Sequence, residues 1–210
     1  MKAIKGVSVA ALLLAGCAGQ GDIVEGGISA VRSACPTVAV PAATGDVTLF
    51  DPPASRDAAA IDVVAQITNL RSTCGDQGDQ VQTDVTFDVQ ARRTRTEGAR
   101  EVTLPYFVVL VRAGSAVVAK RLGQARIRFE PGQARAQATG TGTTLVARSA
   151  ATLPEDIRKQ ITRKRKAGEE DAAIDPLSQP EVRAAVLRTS FETLVGFQLT
   201  GEQLQYNATR

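Results

Sequence analysis

The chain has 210 residues, 25 Lys and Arg against 22 Asp and Glu, 4% aromatic residues and no His or Trp. Lack of histidine excludes Ser-His-Asp and Cys-His catalysis and every His-containing metal site. Setting aside Lys2 and Lys5 takes the formal charge from +3 to +1, so no nucleic-acid partner is implied.

Lys2 and Lys5 make a positive N-terminus, followed by a short apolar run over residues 7–14. A spanning helix needs about 20 apolar residues, so this run has the length of a signal h-region instead. It ends in Leu14-Ala15-Gly16-Cys17, which resembles the lipobox of bacterial lipoproteins. The resemblance covers only the first twenty or so residues. It implies cleavage before Cys17, whose sulfur would carry a diacylglyceryl group. Two or more acyl chains hold a protein stably at a membrane, at about 0.8 kcal/mol per buried CH₂. Ala18 and Gly19 follow, where an Asp would mark retention in the inner membrane. The resemblance therefore implies a lipid-anchored outer-membrane protein facing the periplasm.

With Cys17 assigned to lipid, Cys35 and Cys74 remain for an oxidising compartment. A Cys35–Cys74 bridge is expected, closing a loop of about 40 residues worth about 4 kcal/mol in the chain-entropy model. The spacing lacks the C-x-x-C form of a redox pair.

Small and polar residues follow Cys17, so residues 17–36 read as a tether after a signal peptide over 1–16. A β-rich domain is expected over 37–150. Short strands fit residues 37–40 and 47–50, among Pro36, Pro41, Pro52 and Pro53. Ile61, Val63, Ala65 and Ile67 alternate with polar residues that include Asp62. Val81, Val85, Phe87, Val89 and Ala91 do the same, giving a sheet with one buried face. Turns are predicted at Glu97-Gly98, Gly114-Ser115 and Pro131-Gly132, the last as the centre of a type II turn. They would link the strands as an antiparallel meander.

Residues 151–210 read as a helical part packed on the same domain. Thr152-Leu153-Pro154-Glu155 and Ser178-Gln179-Pro180-Glu181 have capping-box form. The first would open a helix reaching about Ala167. The second would open one carrying Leu187, Phe191 and Leu194 on a single face. Thr200 to Gln203 would cap a last turn bearing Leu204 and Tyr206. The fold class is mainly β, a sandwich-like antiparallel sheet packed by two or three C-terminal helices.

No constellation carries chemistry clearly. Asp84 and Asp88 share one strand face, in the manner of a glycosidase pair or of solvated charges. Asp76 and Asp79 flank glycines but lack the calcium-loop pattern. Gly140-Thr141-Gly142 lacks G-K-[ST] and reads as a bend in a Thr-rich strand. Asn207-Ala208-Thr209 has sequon form by chance. Arg158, Lys159, Arg163, Lys164, Arg165 and Lys166, followed by Glu169, Glu170 and Asp171, form the sharpest charge feature. They suit a helix C-terminus, or a contact for anionic envelope material. No cofactor or metal is implied. The expected function is a non-catalytic, lipid-anchored binding or assembly module with an envelope protein partner. The alternatives are a carrier of lipid or another apolar ligand, and a hydrolase acting on envelope polymers.

Overall fold

A computed structural model describes residues 33–163 and 174–209. The lipobox, most of the tether, and Lys164, Arg165 and Lys166 with the acidic residues after them lie outside the described residues. Among those described, no helix is long and apolar enough to cross a membrane.

Among the described residues, eight strands form two four-stranded sheets: β1 (Thr37–Ala39), β2 (Asp46–Phe50), β3 (Ile61–Gln77), β4 (Gln80–Arg93), β5 (Arg100–Arg112), β6 (Ala116–Phe129), β7 (Arg135–Ala147) and β8 (Phe191–Phe197). Four α-helices accompany them among the described residues: α1 (Arg148–Ala151), α2 (Glu155–Thr162), α3 (Pro180–Arg188) and α4 (Gly201–Thr209). One sheet runs β1-β8-β5-β6 and the other β2-β3-β4-β7. Every pairing is antiparallel except that of β1 with β8. The architecture is a mainly β, sandwich-like fold with a few C-terminal helices.

Strict alternation builds β4, where Val81, Thr83, Val85, Phe87, Val89, Ala91 and Arg93 are all buried and the residues between them face outward. Against them stand Val102, Leu104, Tyr106 and Val108 of β5, with Ala125, Ile127 and Phe129 of β6. The Phe87 and Tyr106 rings meet edge to face at 5.0 Å between centroids. Gly140 and Gly142 are not a bend but part of regular β7, opposite Phe87 and Val85. A Cβ at Gly140 would run into the Phe87 ring, and one at Gly142 would crowd Val108 of the other sheet. Tyr106 hydroxyl lies between them, donating to the Thr141 carbonyl at 2.9 Å.

The expected single meander is replaced by two sheets that exchange strands. Of the three predicted turns, only the one around Gly114 closes a hairpin, and its central pair is Ala113–Gly114, both with positive φ. Glu97-Gly98 instead carries the chain from β4 in one sheet to β5 in the other. Pro131-Gly132 forms the predicted turn, with Gln133 N–H on the Glu130 carbonyl at 3.0 Å and Gly132 at φ 78°. That turn leads back across from β6 to β7. Period two reveals which face of a strand is buried, not which strand lies beside it.

The C-terminal part is not wholly helical. Thr189 and Ser190 hydroxyls bond the Ala185 and Val186 carbonyls and end α3. Phe191 and Leu194 therefore do not continue a helical face from Leu187. They belong to β8, which lies between β1 and β5. The two early capping boxes do not form: Thr152 hydroxyl bonds the Arg148 carbonyl, and Ser178 hydroxyl bonds that of Asp175. The third does, since Gln203 N–H meets Thr200 Oγ1 at 3.2 Å and Thr200 N–H meets Gln203 Oε1 at 2.9 Å. It opens α4, whose Asn207 amide donates to the Ala43 and Asp46 carbonyls. The sequon asparagine thus fastens the last helix to β2.

Candidate functional site

Cys35 and Cys74 are joined in a disulfide, with 39 residues of sequence separation. It ties the segment before β1 in one sheet to β3 in the other. Cys17 lies outside the described residues.

The basic cluster divides. Arg158 makes a two-pronged contact with Glu155, Nε to Oε2 at 2.8 Å and Nη2 to Oε1 at 2.6 Å. Those bonds hold the Glu155 carboxyl below its ordinary pKa. Lys159 stands 3.9 Å from the same carboxylate. Arg163 follows the end of α2. Arg158 and Lys159 thus share the one Glu155 carboxylate.

The acidic candidates are engaged too. Asp84 accepts from Thr143 hydroxyl at 2.6 Å and the Gln82 amide at 2.7 Å, which lowers its pKa. Asp88 accepts from the Asn69 amide at 2.7 Å. Four residues along one strand span about 13 Å. A glycosidase pair stands at most about 9.5 Å apart and needs one acid with a raised pKa. Asp76 is ion-paired with Arg148 at 2.9 Å, at the tip of the β3–β4 hairpin.

Two surface features were not visible in the sequence. The first is the outer edge of β6. Its residues 116–122 are exposed on both faces, with Val117 at 66%, Val118 at 52% and Leu122 at 66%. β6 carries Lys120, Arg121, Arg126 and Arg128 and no acid. Arg128 meets Glu130 at 2.7 Å, and Lys120 lies over the Phe107 ring at 5.2 Å. Among the described residues, no strand pairs with the other side of β6.

The second is a groove of about 570 Å³ across the outer side of β3, β4 and β7. Register aligns Gln66, Gln90 and Gln137 in one row, and Val64, Arg92 and Arg135 in the next. Seeing this alignment requires strand pairing that no local pattern supplies.

At one end of the sandwich, Asp62 is a buried acid that alternation had placed on the wet face. Arg100 grips both of its oxygens, at 2.8 and 2.6 Å, and Arg95 approaches at 3.2 Å. The Arg100 fork, helped by the charge of Arg95, holds the Asp62 carboxyl below its ordinary value despite burial. Arg95 also contacts Asp51, so this network fastens the start of β3 to the β4–β5 crossing. Comparison of the chain with protein-family models, with curated proteins and with solved structures finds no match.

Proposed function

We propose that this chain is a lipid-anchored cell-envelope protein, held at the periplasmic side of the outer membrane through Cys17, that works as a non-catalytic binding or assembly module. The anchor rests on the lipobox resemblance. The observation that carries the binding role is the exposed edge of β6. A long edge strand bearing apolar side chains is a template for an added strand, in which backbone hydrogen bonds give affinity and side chains give selectivity.

Charge selects the kind of partner. A second copy paired antiparallel through residues 116–122 would set Lys120 and Arg121 opposite Val118 and Val117, with no acid to meet either charge. An extended segment of an envelope protein, alternating apolar residues with carboxylates, complements the strand on both counts. Carriage of an apolar ligand between the sheets is disfavoured because Phe87, Phe129 and Phe197, each at most 1% exposed, fill that space.

The test is photo-crosslinking in cells from Val118 and Leu122, with Thr139 on β7 as the comparison position. A discrete adduct from the β6 positions, lost in Cys17→Ala, supports the reading. Equal adducts from Thr139, or none from β6, overturn it. Metabolic labelling with an alkyne fatty acid checks the anchor separately, and a label retained by Cys17→Ala overturns that part.

A further inference from the structure

We propose that the groove across β3, β4 and β7 binds an acidic saccharide, with its carboxylate or phosphate held by Arg92 and Arg135 and its hydroxyls set along Gln66, Gln90 and Gln137. This site is independent of the β6 edge.

Arg92 and Arg135 are directly opposed on neighbouring antiparallel strands, and both are exposed on the outer face. Like charges so placed destabilise a sheet unless an anion lies between them. Among the described residues, neither guanidinium has a carboxylate partner. Arg128, Arg148 and Arg158 elsewhere on the surface each have one. Guanidinium forks match the oxygens of a carboxylate or phosphate two at a time.

Beside the arginines, Gln66 pairs with Gln90 and Gln90 with Gln137. All three are exposed, and among the described residues their amides make no side-chain hydrogen bond. Each amide both donates and accepts, which suits hydroxyl groups. Asp46 lies beyond Gln66 on β2 and Asp88 lies one row further along, so neither neutralises the arginine row. The only large apolar side chain lining the groove is Val64, half-buried, which offers little to a peptide's apolar side chains. The groove volume, about 570 Å³, falls in the range of small-ligand sites.

Calorimetry on the full chain in non-ionic detergent tests the site, with tetragalacturonate as the probe. Its methyl ester and inorganic phosphate are the comparisons. The double variant R92Q/R135Q should weaken tetragalacturonate binding about tenfold or more, and the methyl ester should bind the native chain about tenfold more weakly. The variant's urea midpoint should stay equal or rise, because a like-charge pair is removed. R92K/R135K, which keeps charge but loses the forks, should fall between. Three results overturn the proposal: no binding of tetragalacturonate, binding undiminished in R92Q/R135Q, or inorganic phosphate matching tetragalacturonate, which would make this a small-anion site.

Discussion

The guanidinium of Arg93 lies 5.1 Å from the centroid of the Phe129 ring, buried where the two sheets exchange strands. It donates to the carbonyls of Gln133, Thr96, Gly98 and Glu130, at 2.8 to 3.0 Å. Two of these lie on the β4–β5 crossing and two on the β6–β7 crossing. One side chain from β4 therefore fixes both places where the chain changes sheet, and only a fork with several donors can do so.

Replacing Arg93 by Met should keep the packing of the stem over Phe129 but take the guanidinium from those carbonyls. The Thr96 and Glu130 carbonyls keep backbone N–H donors from Gly132 and Gln133, while those of Gly98 and Gln133 lose the guanidinium, so a loss of about 1–3 kcal/mol is expected. Urea unfolding should show a lower midpoint with an unchanged slope. Arg93→Lys should recover only part, since an ammonium cannot reach both crossings.

Asp62 gives the fold an acid limit. Its carboxyl titrates below the ordinary value in the folded chain because of the Arg100 fork, and returns to the ordinary value on unfolding. The unfolded state therefore binds the proton more readily. The contribution is complete above the unfolded value, near 3.8, and is lost as pH falls through the lower folded value. Asp62→Asn should cost about 2 kcal/mol at neutral pH, a figure kept low because Arg95 and Arg100 reach solvent. It should also flatten the fall in urea midpoint below about pH 4. An unchanged acid profile in Asp62→Asn would assign that limit to other carboxylates.

What could be read from the sequence follows from how far each signal reaches. Alternation in β4 and the Pro131-Gly132 turn are local, and both stand as expected. β8 was hidden because its inward row is Phe191, Thr193, Val195 and Phe197, with a polar residue where the pattern needs an apolar one. Thr193 is tolerated there because its hydroxyl meets that of Thr144, from the opposite sheet, at 2.7 Å. Leu187, Phe191 and Leu194 then imitate a helical face across a real break at Thr189. Asp62 was read as wet because its partners Arg95 and Arg100 are 33 and 38 residues away in sequence. The groove of Gln66, Gln90 and Gln137 depends on register and was out of reach altogether.

The Cys35–Cys74 bridge closes its loop across the two sheets rather than within one. β1 is only three residues long and pairs with β8 alone, so little else holds the N-terminal segment. For a loop of this length the chain-entropy model gives about 4 kcal/mol, as an upper figure. The Cys35→Ser/Cys74→Ser variant should unfold at markedly lower urea and expose β1 first. Hydrogen exchange should show early loss of protection at residues 37–39 while the centre of β4 stays protected. Equal mobility of the native chain on gels with and without reductant would rule out the bridge.

Gly140 tests whether the two glycines of β7 serve packing. Its φ lies in the region open to any residue, so conformational freedom is not the reason for glycine there. A methyl group would point inward at the Phe87 ring, which is fully buried and held by the Tyr106 ring. Gly140→Ala should therefore destabilise by about 1–3 kcal/mol through overpacking, although alanine is otherwise the better residue in a strand. Thr139→Ala, one position away on the outward face, should change the urea midpoint little. Trimming the ring in Gly140→Ala/Phe87→Leu should recover part of the loss, because the two side chains compete for one space. Simple addition of the two single effects would place the strain elsewhere than at that contact.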